Sequence, residues 1–177
     1  MPRFEIDLNP LEHITVDAIG KPGARVFYIQ GWRKTDPAPV TIIIEKVQLQ
    51  SLALGVDQML AELAKQKPEL NVTLAEFDED KMRISPPVDP LFRAGEMGLG
   101  YDADHDMIVV LVREVVMENQ DPEEASEVRF WCTRTQIRLL ADWSKEVIKR
   151  GRPICPQCGQ PMDPEGHFCP KKNGHKH

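Results

Sequence analysis

The sequence predicts an α+β fold, with two related βββα halves in a mainly antiparallel sheet and a small cysteine-rich C-terminal knuckle. Three observations carry this expectation. Short β-branched runs separated by turn signals fill residues 13–46 and 92–133, and each set is closed by an amphipathic helix. The two sets align at one fixed offset. A C-x-x-C turn stands in a tail nearly devoid of apolar residues.

His13–Ile19 and Arg25–Gly31 are strand-like segments around the turn Gly20-Lys21-Pro22-Gly23. Val40–Lys46 follows the break Asp36-Pro37-Ala38-Pro39. Leu49, Leu52, Ala53, Val56, Leu60 and Leu63 then recur at helical spacing, which predicts a helix from about Val47 to Lys65, closed by Pro68. Residues 67–90 hold Pro68, Pro86, Pro87, Pro90 and the acidic run Glu76–Asp80, and read as a long crossover with a short strand at Asn71–Leu74. The second half repeats the order. Phe92–Tyr101 and Met107–Val116 flank the turn 102–106, and Val128–Thr133 is the third strand. The box Thr133-x-x-Gln136 opens a helix to Lys149, with Ile137, Leu140, Ala141, Ser144, Val147 and Ile148 on its apolar face.

At an offset of 88 residues Val40 meets Val128, Gln48 meets Gln136, Leu52 meets Leu140 and Leu60 meets Ile148. The upstream hairpins align only with a gap, because the second half has the longer connection. The expected body is therefore a duplicated unit with pseudo-twofold character. Its expected span is residues 1–150, with halves at about 1–66 and 91–150, the crossover at 67–90 and the tail at 151–177.

The chain has 177 residues and a net charge of −6, enough to bury a core and too acidic for a nucleic-acid coat. That average hides an asymmetry. Residues 149–177 hold six Lys/Arg against two acids, while the rest holds 16 against 26. No apolar run is long enough for a membrane span, and MPRFEIDLNP lacks the order of a secretory signal, so a cytoplasmic protein with no membrane partner is expected.

The tail carries the strongest chemical signal. Cys155-Pro156-Gln157-Cys158-Gly159 sets two thiolates on one side of a turn, and Gly166-His167-Phe168-Cys169-Pro170 returns two further ligands. Four N/S ligands on a segment without a core of its own are what a structural zinc site requires. Cys155, Cys158, His167 and Cys169 are the expected ligands of one zinc per chain, with His175 as the alternative fourth and His177 a poorer third. A redox C-x-x-C would open a helix, and prolines at 153, 156 and 161 forbid one here.

The remaining constellations read as structure. Asp102–Asp106 lacks the glycine and glutamate of a calcium loop and is expected as a solvated hairpin turn. His13 has no nucleophile beside it, Cys132 lies in an apolar strand, and Gly95, Gly98 and Gly100 lack phosphate-loop order. Trp32-Arg33-Lys34 is a single aromatic-basic spot.

HITVDAIGKPGARVFYIQG, IIIEKVQLQSLA, FRAGEMGLGYDADHD and the tail GRPICPQCGQPMDPEGHFCPKKNGH together resemble an uncharacterised conserved bacterial family, a domain of unknown function. The resemblance covers nearly the whole chain, and its tail pattern of Cys-Pro-x-Cys-Gly, Gly-His-x-Cys-Pro and Asn-Gly is the most specific part. It implies a bacterial cytosolic protein and no established activity. Similar tails often carry an aromatic residue at the position of His175, which favours His167 as ligand.

Three functions fit. The first is a non-enzymatic binding or adaptor protein. A protein partner is expected there, and the basic residues Lys149, Arg150, Arg152, Lys171 and Lys172 leave RNA open. The second is an enzyme with a pocket between the halves that uses acids such as Asp17 or Glu96. The third makes the tail only a staple for the second helix.

Overall fold

The computed structural model describes residues 3–68, 76–151, 155–160, 162 and 166–172. The expected strand at Asn71–Leu74 lies outside them, as do Arg152, His175 and His177. The order is β1 (Glu5–Leu8), β2 (His13–Ile19), β3 (Val26–Trp32), β4 (Val40–Ile44), α1 (Lys46–Gln66), α2 (Glu79–Met82), β5 (Pro90–Asp102), β6 (Met107–Glu114), β7 (Glu127–Cys132) and α3 (Arg134–Lys149). None of the described helices is long and apolar enough to cross a membrane.

The seven strands form one sheet in the order β1-β7-β6-β5-β4-β3-β2. Pairing is antiparallel except between β4 and β5 and between β1 and β7. The ends of this order, β1 and β2, are consecutive in the chain and joined by residues 9–12. A flat seven-stranded sheet would hold its edges about 29 Å apart. Four linking residues reach less than about 20 Å. The sheet therefore rolls round until its two ends meet.

Register makes the duplication explicit. Asp7 stands opposite Arg129 in β1–β7, as Pro90 stands opposite Thr41 in β5–β4. Val16 pairs with Ile29 as Leu99 pairs with Val110, and Ile29 pairs with Ile42 as Val110 pairs with Phe130. So β1 and β2 are the two parts of one bent strand, and β5 is its unbroken counterpart. Pro10, without an N–H for the ladder, lies in the break. The gap in the sequence alignment falls in the β6–β7 connection, residues 115–126, against 33–39 in the first unit. The corresponding strands of the two units follow one another in the same order along the sheet.

Helix starts follow the same correspondence. Gln136 sits three residues into the box: its Oε1 accepts the Thr133 N–H at 2.9 Å and its own N–H bonds Thr133 Oγ1 at 3.1 Å. Its Nε2 then donates to Leu11 O at 2.9 Å. Gln48 repeats this in α1, accepting from Glu45 N at 2.8 Å and donating to Ala94 O at 3.2 Å. Leu11 and Ala94 are equivalent in the register above. Each glutamine thus caps its helix and ties it to the strand of the next unit.

One strand face and the apolar sides of both helices form a single core. Val16, Ile29, Ile42, Val110, Val128 and Phe130 meet Leu49, Val56, Ile137 and Leu140, all at most 1% exposed. Phe130 packs on Gly31, where an added Cβ would lie 3.0 Å from its ring. Full burial of each such side chain contributes about 1.5–3 kcal/mol.

The opposite face of the first unit is polar and yet buried. Thr15, Gln30 and Thr41 stand in line across β2, β3 and β4, each inaccessible to solvent. Residues 82–85 lie across them as a strap. Gln30 accepts from Ser85 N at 2.8 Å and donates to Ser85 O at 2.9 Å and to Thr41 Oγ1 at 3.0 Å. Thr15 donates to Met82 O, and Asp17 accepts from Ile84 N at 3.0 Å. Thr15, Gln30 and Asp17 hold the crossover down, and Thr41 supports Gln30 from the side.

Two expectations are refined here. The 102–106 turn is only partly solvated. Asp106 adopts the left-handed region at φ 50°, accepts from Tyr101 Oη at 2.7 Å and pairs with the buried Arg134 at 2.8 Å. Those partners outweigh its desolvation and hold its carboxyl below the usual range. Arg33 is bound into its own turn by Asp36 at 2.8 Å, and Trp32 meets His13 at a tilt with ring centroids 4.8 Å apart, so two of the three residues of the aromatic-basic spot have partners within the fold.

Gln30→Leu removes both bonds to Ser85 and leaves buried backbone groups unpaired. It should cost about 2 kcal/mol in denaturant unfolding and speed amide exchange at Ser85. Burial lowers the pKa of His13, against smaller opposing effects of the Lys81 backbone and Glu12. A depressed imidazole contributes stability that is present above about pH 6.5 and is lost as pH falls toward the folded pKa. The denaturation midpoint of His13→Phe should therefore fall less between pH 7.5 and 5.5 than that of the wild type.

Candidate metal centre

The tail after α3 has too few apolar side chains for a core, so its shape must come from polar closure. Backbone bonds from Gly159 N to Cys155 O at 2.9 Å and from Cys155 N to Gln160 O at 2.8 Å fold residues 155–160 into a tight loop. Gly159 takes φ +73° at its exit, a conformation that costs a residue with Cβ. The loop turns Cys155 and Cys158 toward one point.

Residues 166–169 return to that point. One ligand atom from each of Cys155, Cys158, His167 and Cys169 lies within 4.8 Å of all the others, and this group could hold a metal ion. Cys155 Sγ is 3.8 Å from Cys169 Sγ, and Cys158 Sγ is 3.2 Å from His167 Nε2. A tetrahedral ion bound at about 2.3 Å from each sulfur separates two sulfurs by about 3.8 Å. A disulfide needs about 2.05 Å, and all four cysteines are free. Cys155, His167 and Cys169 are buried and Cys158 is half-buried.

The local backbone prepares the sulfurs for ionisation. The N–H groups of Cys158 and Gln157 point at Cys155 and lower its thiol to about 6. Cys158 is shifted the other way. The Gln160 N–H favours its thiolate, but burial and the neighbouring sulfurs of Cys155 and Cys169 outweigh it. Crowded thiols of this kind resist joint ionisation until a cation takes their charge.

Cys132 is unlike these three. It has no solvent exposure, and burial pushes its thiol up to about 12. It is inert packing, as its strand context suggests. Asp17 is spent on Ile84 N and Arg83, while Glu96 is exposed and pairs with Arg113 at 3.7 Å. Asp17 borders a cavity of about 150 Å³ between β2 and α3, together with Arg25, Arg83, Val147 and Arg150. A second cavity, of about 270 Å³, lies between the start of α1 and β5 and is walled by Val47, Ser51, Leu52, Met97, Gly98 and Leu99.

Gly95, which also borders the cavity, is fixed by close approach, since a Cβ there would lie 2.7 Å from Val115 Cα. Sequence reasoning missed β1 and the buried Arg134. β1 is four residues long and its partner strand begins 122 positions later, and nothing local marks Arg134 as buried.

A family model described as a protein of unknown function, DUF3090, matches residues 6–169. The chain belongs to the DUF3090 family. The match runs from β1 to Cys169, the last member of the Cys/His group, and so includes both the body and the four residues of the centre. No curated protein and no solved structure matches the chain.

Metal analysis of this DUF3090 protein should return about one ion per chain. His167→Ala should lose it while His175→Ala retains it, and the reverse pattern reassigns the ligand. Chelation should abolish amide protection across 155–172 yet leave the melting of the body nearly unchanged, because the core cluster contains no residue of the tail.

Proposed function

We propose that the protein is a non-enzymatic, cytoplasmic adaptor whose C-terminal knuckle is held by one structural zinc and contacts a protein partner. The ligands are Cys155, Cys158, His167 and Cys169, since three thiolates and an imidazole with ligand atoms within 4.8 Å of one another suit zinc and leave no open position for catalysis. The body, residues 1–150, is the platform and residues 151–177 the contact module.

The observation that carries this reading is Phe168. It lies between two ligands, His167 and Cys169, and is 58% exposed while both neighbours are buried. A metal knuckle that served only as a staple would have no use for a phenyl ring held rigidly in water. Aromatic anchors on rigid supports are the side chains that dominate protein interfaces. Lys171, three residues on, is exposed and supplies positive charge, and Lys149 is exposed at the end of α3. Arg150 contributes less, because Glu79 at 2.8 Å and Glu146 at 3.3 Å already pair with it.

An RNA partner is the second reading, and the surplus of lysines in the tail is what favours it. Phosphate contacts make binding fall steeply with salt, whereas an apolar anchor does not. Against an enzyme stands the binding of Asp17, the acid that borders the cavity between β2 and α3, to Ile84 N and Arg83.

Capture from native lysate with full-length protein and with Phe168→Ala tests the reading. The variant should keep its zinc and lose the partner at least tenfold. Retention of the partner by Phe168→Ala, or its loss on raising salt alone, would sink the protein-adaptor reading.

A further inference from the structure

The correspondence between the two units has one conspicuous break, and it lies beside the cavity between α1 and β5. In the second helix, Trp143 is fully buried and its Nε1 donates to Val16 O on β2 at 2.5 Å. The indole thus plugs the join between α3 and the outer edge of β2. Phe77 meets it edge-on at 5.3 Å, and the guanidinium groups of Arg83 and Arg150 lie over it at 5.4 and 5.2 Å.

The same register places Gly55 of α1 where α3 has Trp143, and Leu99 of β5 where β2 has Val16. Leu49, Leu52, Ala53 and Val56 are buried in α1 as Ile137, Leu140, Ala141 and Ser144 are in α3, so the helices align without a shift. Gly55 supplies no plug. A Cβ there would meet only the Cδ1 of Leu99, at 3.0 Å. Helical side chains lean toward the helix N-terminus, so an indole at position 55 would cover Ser51 and Leu52. Both residues wall the cavity, and Leu99 lines it from the other side.

We infer that this cavity is a binding site for a small aromatic heterocycle of indole type, which takes the place that Trp143 fills in the other unit. An apolar cavity of about 150 Å³ accepts benzene. The about 270 Å³ here accepts a fused bicycle. Val47, Leu52, Met97 and Leu99 supply apolar contact, Gly98 has open space beside it, and the Leu99 carbonyl stands in the register position of the Val16 carbonyl to accept the ring N–H. The site is independent of the metal-bearing tail.

The test uses full-length protein and 3-methylindole, followed by amide chemical shifts. Saturable shifts at Ser51, Gly98 and Leu99 are expected, with 1,3-dimethylindole, which lacks the N–H donor, binding about fivefold more weakly. Gly55→Trp should fill the cavity from within and weaken binding at least tenfold. Ser51→Phe, at an exposed helical position, should do the same if the tryptophan variant fails to fold. Absence of saturable shifts at millimolar probe, equal affinity for the two indoles, or undiminished binding by a folded blocking variant would each overturn the proposal.

Discussion

Two parallel strand contacts, β4 with β5 and β1 with β7, hold this body together. Everything else within each unit is a local meander of antiparallel strands and a helix, which by itself would leave two sheet edges open to water and to other chains. Laying the first strand of one unit beside the last strand of the other satisfies those edges with the chain's own backbone. It also forces the sheet to roll, because β1 and β2 end up at opposite ends of the strand order while only residues 9–12 separate them. The glutamines at 48 and 136 lock the arrangement, each bridging its own helix cap and the strand of the neighbouring unit.

The duplication then diverges in what covers each copy. In the first unit the outer sheet face carries Thr15, Gln30 and Thr41 and is clamped under residues 82–85. In the second unit the equivalent positions are Gly98, Leu111 and Arg129, of which Gly98 is exposed and the other two half-buried. Trp143 seals one helix–strand join and Gly55 leaves the other open. Duplicated folds keep their register because it carries the core, and they are free to vary wherever a side chain points away from it.

The knuckle follows a different logic from the body. The body closes by burying apolar surface, while the tail brings three cysteines and a histidine that could hold a metal ion to one point. The core cluster contains no residue of the tail.

Much of this was legible in the chain. The strands, both long helices, the box at Thr133 and the spacing of Cys155, Cys158, His167 and Cys169 follow from periodicity and ligand chemistry, which are local properties. The 88-residue offset aligns positions of α1 and α3 that the structure buries alike. What sequence alone left undecided depends on residues distant in the chain. β1 exists only because β7 receives it, Asp17 is a strap anchor only because Ile84 returns to it, and Arg134 can be buried only beside Asp106. Local periodicity reports which face of an element is apolar. Which element covers that face, and whether a tryptophan or a cavity fills the join, is settled by contacts that no short window of sequence contains.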